Sequence, residues 1–131
     1  MFRNILFPGI LAFVIFVATA CSPAKPVNLT SADKGSQVSV KVGDQIVISL
    51  DGNPSTGFTW EAQELDTAIF QQVGEAAFES SNPGLVGAGG TLTLTFKALK
   101  AGTASLELVY LRPWETGVAP LDTFSVAVTV K

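Results

Sequence analysis

Gln37-Val38-Ser39-Val40-Lys41-Val42-Gly43-Asp44-Gln45-Ile46-Val47-Ile48-Ser49-Leu50 puts an apolar side chain at every second position. It breaks once, at Gly43-Asp44, and then resumes the same rhythm. A period of two belongs to an extended chain with one face in a core and the other in water, and a Gly-Asp pair between two such runs reads as a turn. The same rhythm returns at Leu92, Leu94 and Phe96, is punctuated by Lys100-Ala101-Gly102, and continues through Ala104, Leu106, Leu108 and Tyr110. Phe124, Val126, Val128 and Val130 close the chain with it. Between Ala62 and Glu79 the pattern is less regular. Phe70, Val73 and Phe78 are expected as core contacts on one or two shorter strands there, with a helical turn within Asp66 to Gln72 as the alternative.

Several short strands separated by Gly, Pro and Asn signals, with no long helical period and no internal repeat, predict an all-β protein. The expected architecture is an immunoglobulin-like β-sandwich of about seven or eight strands over residues 37–131. Trp60 is expected in its core. The chain has one cysteine, so no disulfide can tie the sheets together and apolar packing must hold them.

The N-terminus carries a different signal. Arg3 precedes an apolar run from Ile5 to Val17 interrupted by Pro8-Gly9, and small residues follow at Ala18-Thr19-Ala20. The run is short for a bilayer span, which needs about 20 residues, and its layout is that of a secretion signal over residues 1–20. Ala18-Thr19-Ala20-Cys21 resembles the lipobox of bacterial lipoproteins, with Ala18 where Leu is usual. That resemblance implies cleavage before Cys21 and lipid attachment to its sulfur. An ordinary cleaved signal with a free cysteine is the alternative. Residues 21–36 read as a flexible tether, because Ser22-Pro23-Ala24-Lys25-Pro26 and the polar stretch to Ser36 offer few large apolar groups. Ser22 after the cysteine points to the outer membrane in a Gram-negative envelope. The domain would then face the periplasm or the exterior.

Composition excludes several activities. The whole chain carries a formal charge of −3, and loss of Arg3 with the leader leaves 7 bases against 11 acids, or −4, with no basic cluster. Nucleic acid is therefore an unfavourable partner. There is no histidine, which removes His-dependent triads, His metal clusters and the usual proton carrier near neutral pH. No Cys/His spacing suits zinc and no acidic loop suits calcium, so neither a metal nor a cofactor is expected. Gly87-Ala88-Gly89-Gly90 is not followed by Lys-Ser/Thr and opens no helix, so it is no phosphate-binding loop. The neighbouring carboxylates Glu61 and Glu64, and Glu75 and Glu79, read as solvent-facing charges. The chain does not read as an enzyme.

Three loops carry more turn chemistry than strand connections require. The first is Asn53-Pro54-Ser55-Thr56-Gly57-Phe58, running into Thr59-Trp60. The second runs from Asn82-Pro83-Gly84 to Gly87-Ala88-Gly89-Gly90, and the third is Arg112-Pro113-Trp114-Glu115, continuing to Pro120. Asn53 can bond backbone two residues on, Pro54 fixes its own φ, and Gly57 can take a positive φ without steric cost. Glycines allow close main-chain approach, and Arg and Trp are enriched among binding hot spots.

In this order the three segments resemble the Asn-Pro-x-Thr-Gly-aromatic-x-Trp, Gly-x-Gly-Gly and Arg-Pro-Trp/Phe motifs of the chagasin family. The resemblance covers roughly Val38 to Lys131 and departs at Ser55, where Thr is frequent. It implies an immunoglobulin-like sandwich and reversible inhibition of papain-like cysteine proteases, with the three loops forming a wedge in the protease cleft. It implies Asn53, Pro54, Ser55, Thr56, Gly57 and Phe58 at the cleft, with Thr56 nearest the catalytic cysteine. Gly87, Ala88, Gly89 and Gly90 would lie along the non-primed side, and Arg112, Pro113 and Trp114 over the primed side. A monomer is the default for such a wedge. Two other classes stay open on the residues alone: an envelope adhesion or scaffold module using the same loops, and a sugar-binding sandwich with Trp114 as a stacking platform.

Overall fold

The two-residue rhythm is realised as nine strands in a computed structural model, which describes residues 25–131. In chain order they are β1 (Pro26–Thr30), β2 (Gln37–Val40), β3 (Gln45–Gly52), β4 (Thr59–Gln63), β5 (Phe70–Gln72), β6 (Ala77–Ser80), β7 (Gly90–Ala98), β8 (Gly102–Leu111) and β9 (Asp122–Val130). One sheet has the order β1-β3-β7-β5, with β6 also paired to β7; the other has the order β2-β9-β8-β4. β5 and β6 share one edge of β7, the first opposite Phe96–Ala98 and the second opposite Gly90–Thr93. Residues 37–131 hold eight strands, as expected, and these two are the shorter strands anticipated between Ala62 and Glu79; the ninth is β1, which precedes that range.

The inward residues of the two sheets meet in a single apolar core. Ile46, Ile48, Phe70, Leu94, Phe96 and Ala98 come from one sheet, and Leu106, Leu108, Phe124, Val126 and Val128 from the other. Burying each large side chain contributes about 1.5–3 kcal/mol. Trp60 joins this core as expected and donates its indole N–H to the Asp51 carbonyl at 3.0 Å. No polar side-chain atom is buried without a partner among the described residues.

Two expectations are corrected. Part of the segment read as tether is folded: Pro26–Thr30 is strand β1, and a 3-10 turn follows at Ser31–Asp33. The cause is non-local. β1 runs parallel along the edge of β3, from Pro26 opposite Gln45 to Thr30 opposite Ser49, and buries Leu29. It thereby satisfies a row of backbone groups that an open edge would leave bare. Val73 and Phe78 are 42% and 41% exposed rather than core residues, because they lie at the sandwich margin where no facing strand covers them. Between Asp66 and Gln72 both anticipated features occur: the Asp66 carbonyl accepts from the N–H groups of Ile69 and Phe70, closing one turn, and Phe70–Gln72 is strand. The proposed leader and Cys21 lie outside the described residues.

Register decides which loops meet. Gly52 pairs with Gly90 and Thr59 pairs with Leu111. Tyr110 pairs with Asp122. The connections β3–β4, β6–β7 and β8–β9 therefore emerge at one pole. Pro26, at the start of β1, and Lys131, after β9, lie at the other.

Candidate functional site

Residues 53–58 form the centre of the loop-bearing pole. Asn53 is extended (φ −141°, ψ 93°), and its Oδ1 accepts from the Ser55 backbone N–H at 3.1 Å and the Ser55 hydroxyl at 2.5 Å. Pro54–Thr56 then makes one 3-10 turn. Here the Ser55 departure from the motif is harmless, since the serine hydroxyl supplies the bond. The Asn53 carbonyl accepts from the Thr56 N–H at 3.1 Å and the Thr56 hydroxyl at 2.6 Å, and the Pro54 carbonyl accepts from the Gly57 N–H at 2.9 Å. Gly57 closes the turn at φ 84°, in the left-handed region that favours glycine. Pro54, Ser55 and Thr56 are exposed at the tip.

The other two loops are fastened to this one. Asn53 donates its side-chain amide to the Gly87 carbonyl at 3.0 Å, which joins the glycine-rich loop. That loop is closed at its neck by Ser81, whose N–H and hydroxyl both donate to the Gly89 carbonyl, at 3.1 and 2.7 Å. Gly90 is already strand, and a Cβ there would collide with the β6 backbone at Glu79 and Ser80. Its role is to let β6 close on β7. Gly87, at φ 80°, and Ala88-Gly89 stay in the loop.

Arg112 joins the third loop. Its Nε donates to the Thr56 carbonyl at 3.0 Å, its Nη1 meets Glu115 Oε1 at 3.2 Å, and its guanidinium lies 4.4 Å from the Phe58 ring centroid. The resemblance puts Arg112 on the primed side as a contact. In the structure its guanidinium braces Thr56, Phe58 and Glu115, with the side chain still 39% exposed. Pro113 and Trp114 stand outward, with Trp114 68% exposed. One face of its indole rests on Gly57: a Cβ there would come within 2.9 Å of Cζ2 and closer still to Cη2. Glycine at 57 thus serves the turn and the seat of the tryptophan together.

Beneath the loops stands an aromatic column. Tyr110 packs against Phe58 at 5.3 Å and Trp60 at 5.1 Å between ring centroids, and its hydroxyl accepts from the Asn53 N–H at 3.0 Å. The column connects the tip to the core through side chains. Tyr110 escapes the sequence reading as a site residue, since nothing in a local motif marks a bond across 57 positions. Glu115, quoted within the third loop, is missed although its partner Arg112 is only three positions away. Leu85 and Val86, 60% and 101% exposed at the crest of the glycine-rich loop, are also missed. Their unburied apolar side chains could have flagged them.

Two properties follow. Arg112 and Glu115 are the only charged residues in the three loops, and they are paired with one another. Of the nine large apolar side chains exposed among the described residues, five (Leu85, Val86, Trp114, Val118 and Leu121) are on loops at this pole. A concentration of exposed apolar surface at one end marks a binding surface. The braced loops have little freedom left to lose on binding, and such preorganisation favours affinity.

The chain is similar to known proteins in sequence and in fold. Residues 39–128 match the chagasin family peptidase inhibitor I42. The chain is 31% identical to amoebiasin-2 of Entamoeba histolytica over 121 residues, 91% of this chain and 98% of that protein. It is 34% identical to chagasin of Trypanosoma cruzi over 93 residues, 66% of this chain and 82% of that protein. The crystal structure of a cysteine protease inhibitor from Entamoeba histolytica superposes with a TM-score of 0.72 at 30% identity, over 82% of this chain and 97% of that one.

Proposed function

The chain belongs to the chagasin family of peptidase inhibitors, and on that premise we propose that it inhibits papain-like cysteine proteases reversibly, by placing its three-loop pole in their active-site cleft. Thr56 enters nearest the catalytic cysteine. The glycine-rich loop (Gly87, Ala88, Gly89, leading into Gly90) lies along the non-primed side, and Arg112, Pro113 and Trp114 cover the primed side. The observation that carries this reading is the mutual fastening of the loops through Asn53, Arg112 and the seat of Trp114 on Gly57. It makes three separate connections one preformed convex body.

The same bonds explain how such a body can occupy a protease without being consumed. Acyl transfer requires the scissile carbonyl to move into the enzyme's oxyanion hole. In the central loop the Asn53, Pro54 and Thr56 carbonyls already accept hydrogen bonds from within the inhibitor. Attack on any of these three carbonyls would first have to break its bond to Thr56, Gly57 or Arg112, and the turn resists that. The test is a triple substitution of Thr56, Gly89 and Trp114 in a folded chain. Inhibition is expected to collapse, and unaltered inhibition would defeat the reading.

The domain acts as a monomer attached to the bacterial envelope through a lipid on Cys21, with its leader removed, and faces the periplasm or the exterior. This part rests on Ala18-Thr19-Ala20-Cys21 and the apolar run before it. The topology supports it, since the chain enters at Pro26, opposite the loop-bearing pole. Five residue steps from Cys21 to Pro26 reach at most about 17 Å, so the base would sit near the membrane and the loops would point away. Incorporation of a fatty-acid analogue that disappears in Cys21→Ser is the test.

A further inference from the structure

Downstream of Trp114 the third loop does not simply return to β9. Val118, Ala119, Pro120 and Leu121 lie across from Phe58, Leu111 and the Arg112–Glu115 pair, and together they line an open-sided hollow of about 260 Å³. Val118 and Leu121 stay 60% and 68% exposed on its rim, and the Leu121 N–H is held by the Tyr110 carbonyl at 2.8 Å. This shelf rests on the same β8 end as the wedge and shares Phe58 and Arg112 with it. No motif marks it.

We propose that this shelf is a second contact surface of the inhibitor, receiving an uncharged apolar side chain from the rim of the protease on the primed side, beyond Trp114. The inference rests on the protease-inhibitor reading and extends it. Continuity identifies the occupant: the shelf is lined by Phe58, Arg112 and Glu115 of the wedge loops, so a body seated against the adjoining Pro113 and Trp114 lies beside residues 118–121. Chemistry limits what enters. The two charges in the lining neutralise each other at 3.2 Å, so a charged guest would find no counter-ion and would lose its hydration. An apolar guest would bury Val118, Leu121 and the edge of Phe58 with it, and apolar burial is the term that pays in such a setting. The shelf would then set selectivity among papain-like enzymes that differ at that rim, while the Thr56 loop engages what they share.

The experiment compares the unmodified chain with a Val118→Ser/Leu121→Ser variant against active-site-titrated papain and a cathepsin-like enzyme, with sedimentation of both inhibitor forms. Both side chains are largely exposed, so the variant should fold and melt as the parent does. Inhibition constants should weaken by roughly tenfold or more for at least one enzyme, and by different factors for the two. Unchanged constants for both enzymes would overturn the shelf while leaving the wedge standing. Concentration-dependent dimers of the parent that vanish in the variant would also overturn it, because a second copy would be the occupant. Failure of the parent to inhibit either enzyme would overturn the underlying reading and the shelf together.

Discussion

Replacing Gly57 with alanine separates the two duties of that glycine. The residue sits at φ 84°, where an L side chain costs about 1–2 kcal/mol. For a domain of this size that corresponds to a fall in Tm of roughly 4–16 °C. The second cost is steric: the new methyl would lie within 2.9 Å of Trp114 Cζ2 and nearer to Cη2, against an ordinary carbon separation of about 3.5–4.0 Å. Trp114 is 68% exposed, so its ring can swing outward with little further loss of stability, but it leaves its seat. A central tryptophan contributes about 2 kcal/mol or more to an interface, which is about 30-fold in affinity. Gly57→Ala should therefore weaken papain inhibition by about 10- to 30-fold. In a Trp114→Ala background, where the ring is absent, Gly57→Ala should cost far less. Denaturant melts and inhibition constants for the four proteins of this double-mutant cycle give the coupling, expected at about 1 kcal/mol or more in binding. If Gly57→Ala weakens inhibition equally in both backgrounds, the tryptophan is not positioned by Gly57, and the claim of a preformed tip is wrong.

Other consequences are checked in the same way. Arg112→Lys keeps the charge but loses the planar fork that serves Thr56, Glu115 and Phe58 at once; inhibition should weaken about tenfold while the melting temperature changes little, since the ion pair is partly exposed. Tyr110→Phe keeps the aromatic column and leaves the Asn53 N–H without its 3.0 Å partner, so chemical denaturation should show a loss of about 1 kcal/mol. Leu29→Ala, on the strand first read as tether, should cost about 2–4 kcal/mol in the same assay, whereas a neutral outcome would return Pro26–Thr30 to the tether. Because the loops carry one self-paired couple of charges, the inhibition constant should shift by less than about threefold between 0.05 and 0.5 M NaCl.

The long strands were open to reading because each answers to a local rule. Ile46, Ile48 and Leu50, or Leu92, Leu94 and Phe96, alternate whatever faces them, and alternation commits one side to a core. β1 shows only a fragment of the rule: Val27 and Leu29 are two apart, too few beside Pro26 to commit a strand on their own, and the edge of β3 supplies the rest. Val73 and Phe78 failed for the converse reason, being apolar at a margin that nothing covers. The loops divide similarly. Asn53, Pro54 and Gly57 announce their own turn, and the three motifs in order pointed to a family. The bond from Arg112 to Thr56, the hydroxyl of Tyr110 beneath Asn53 and the seat of Trp114 are products of tertiary register, which places Thr59 opposite Leu111 and Gly52 opposite Gly90. Hydrogen bonds spanning 34 to 57 positions leave no local trace.

The most direct measurement of the central claim is a titration of papain, quantified by its active sites, with the purified protein. The expected result is a stoichiometric loss of activity that reverses on dilution or competition, with the inhibitor recovered uncleaved and with inhibition weakened markedly in Trp114→Ala. Full papain and cathepsin-like activity at micromolar inhibitor, or release of a chain cut within residues 53–58, would contradict it.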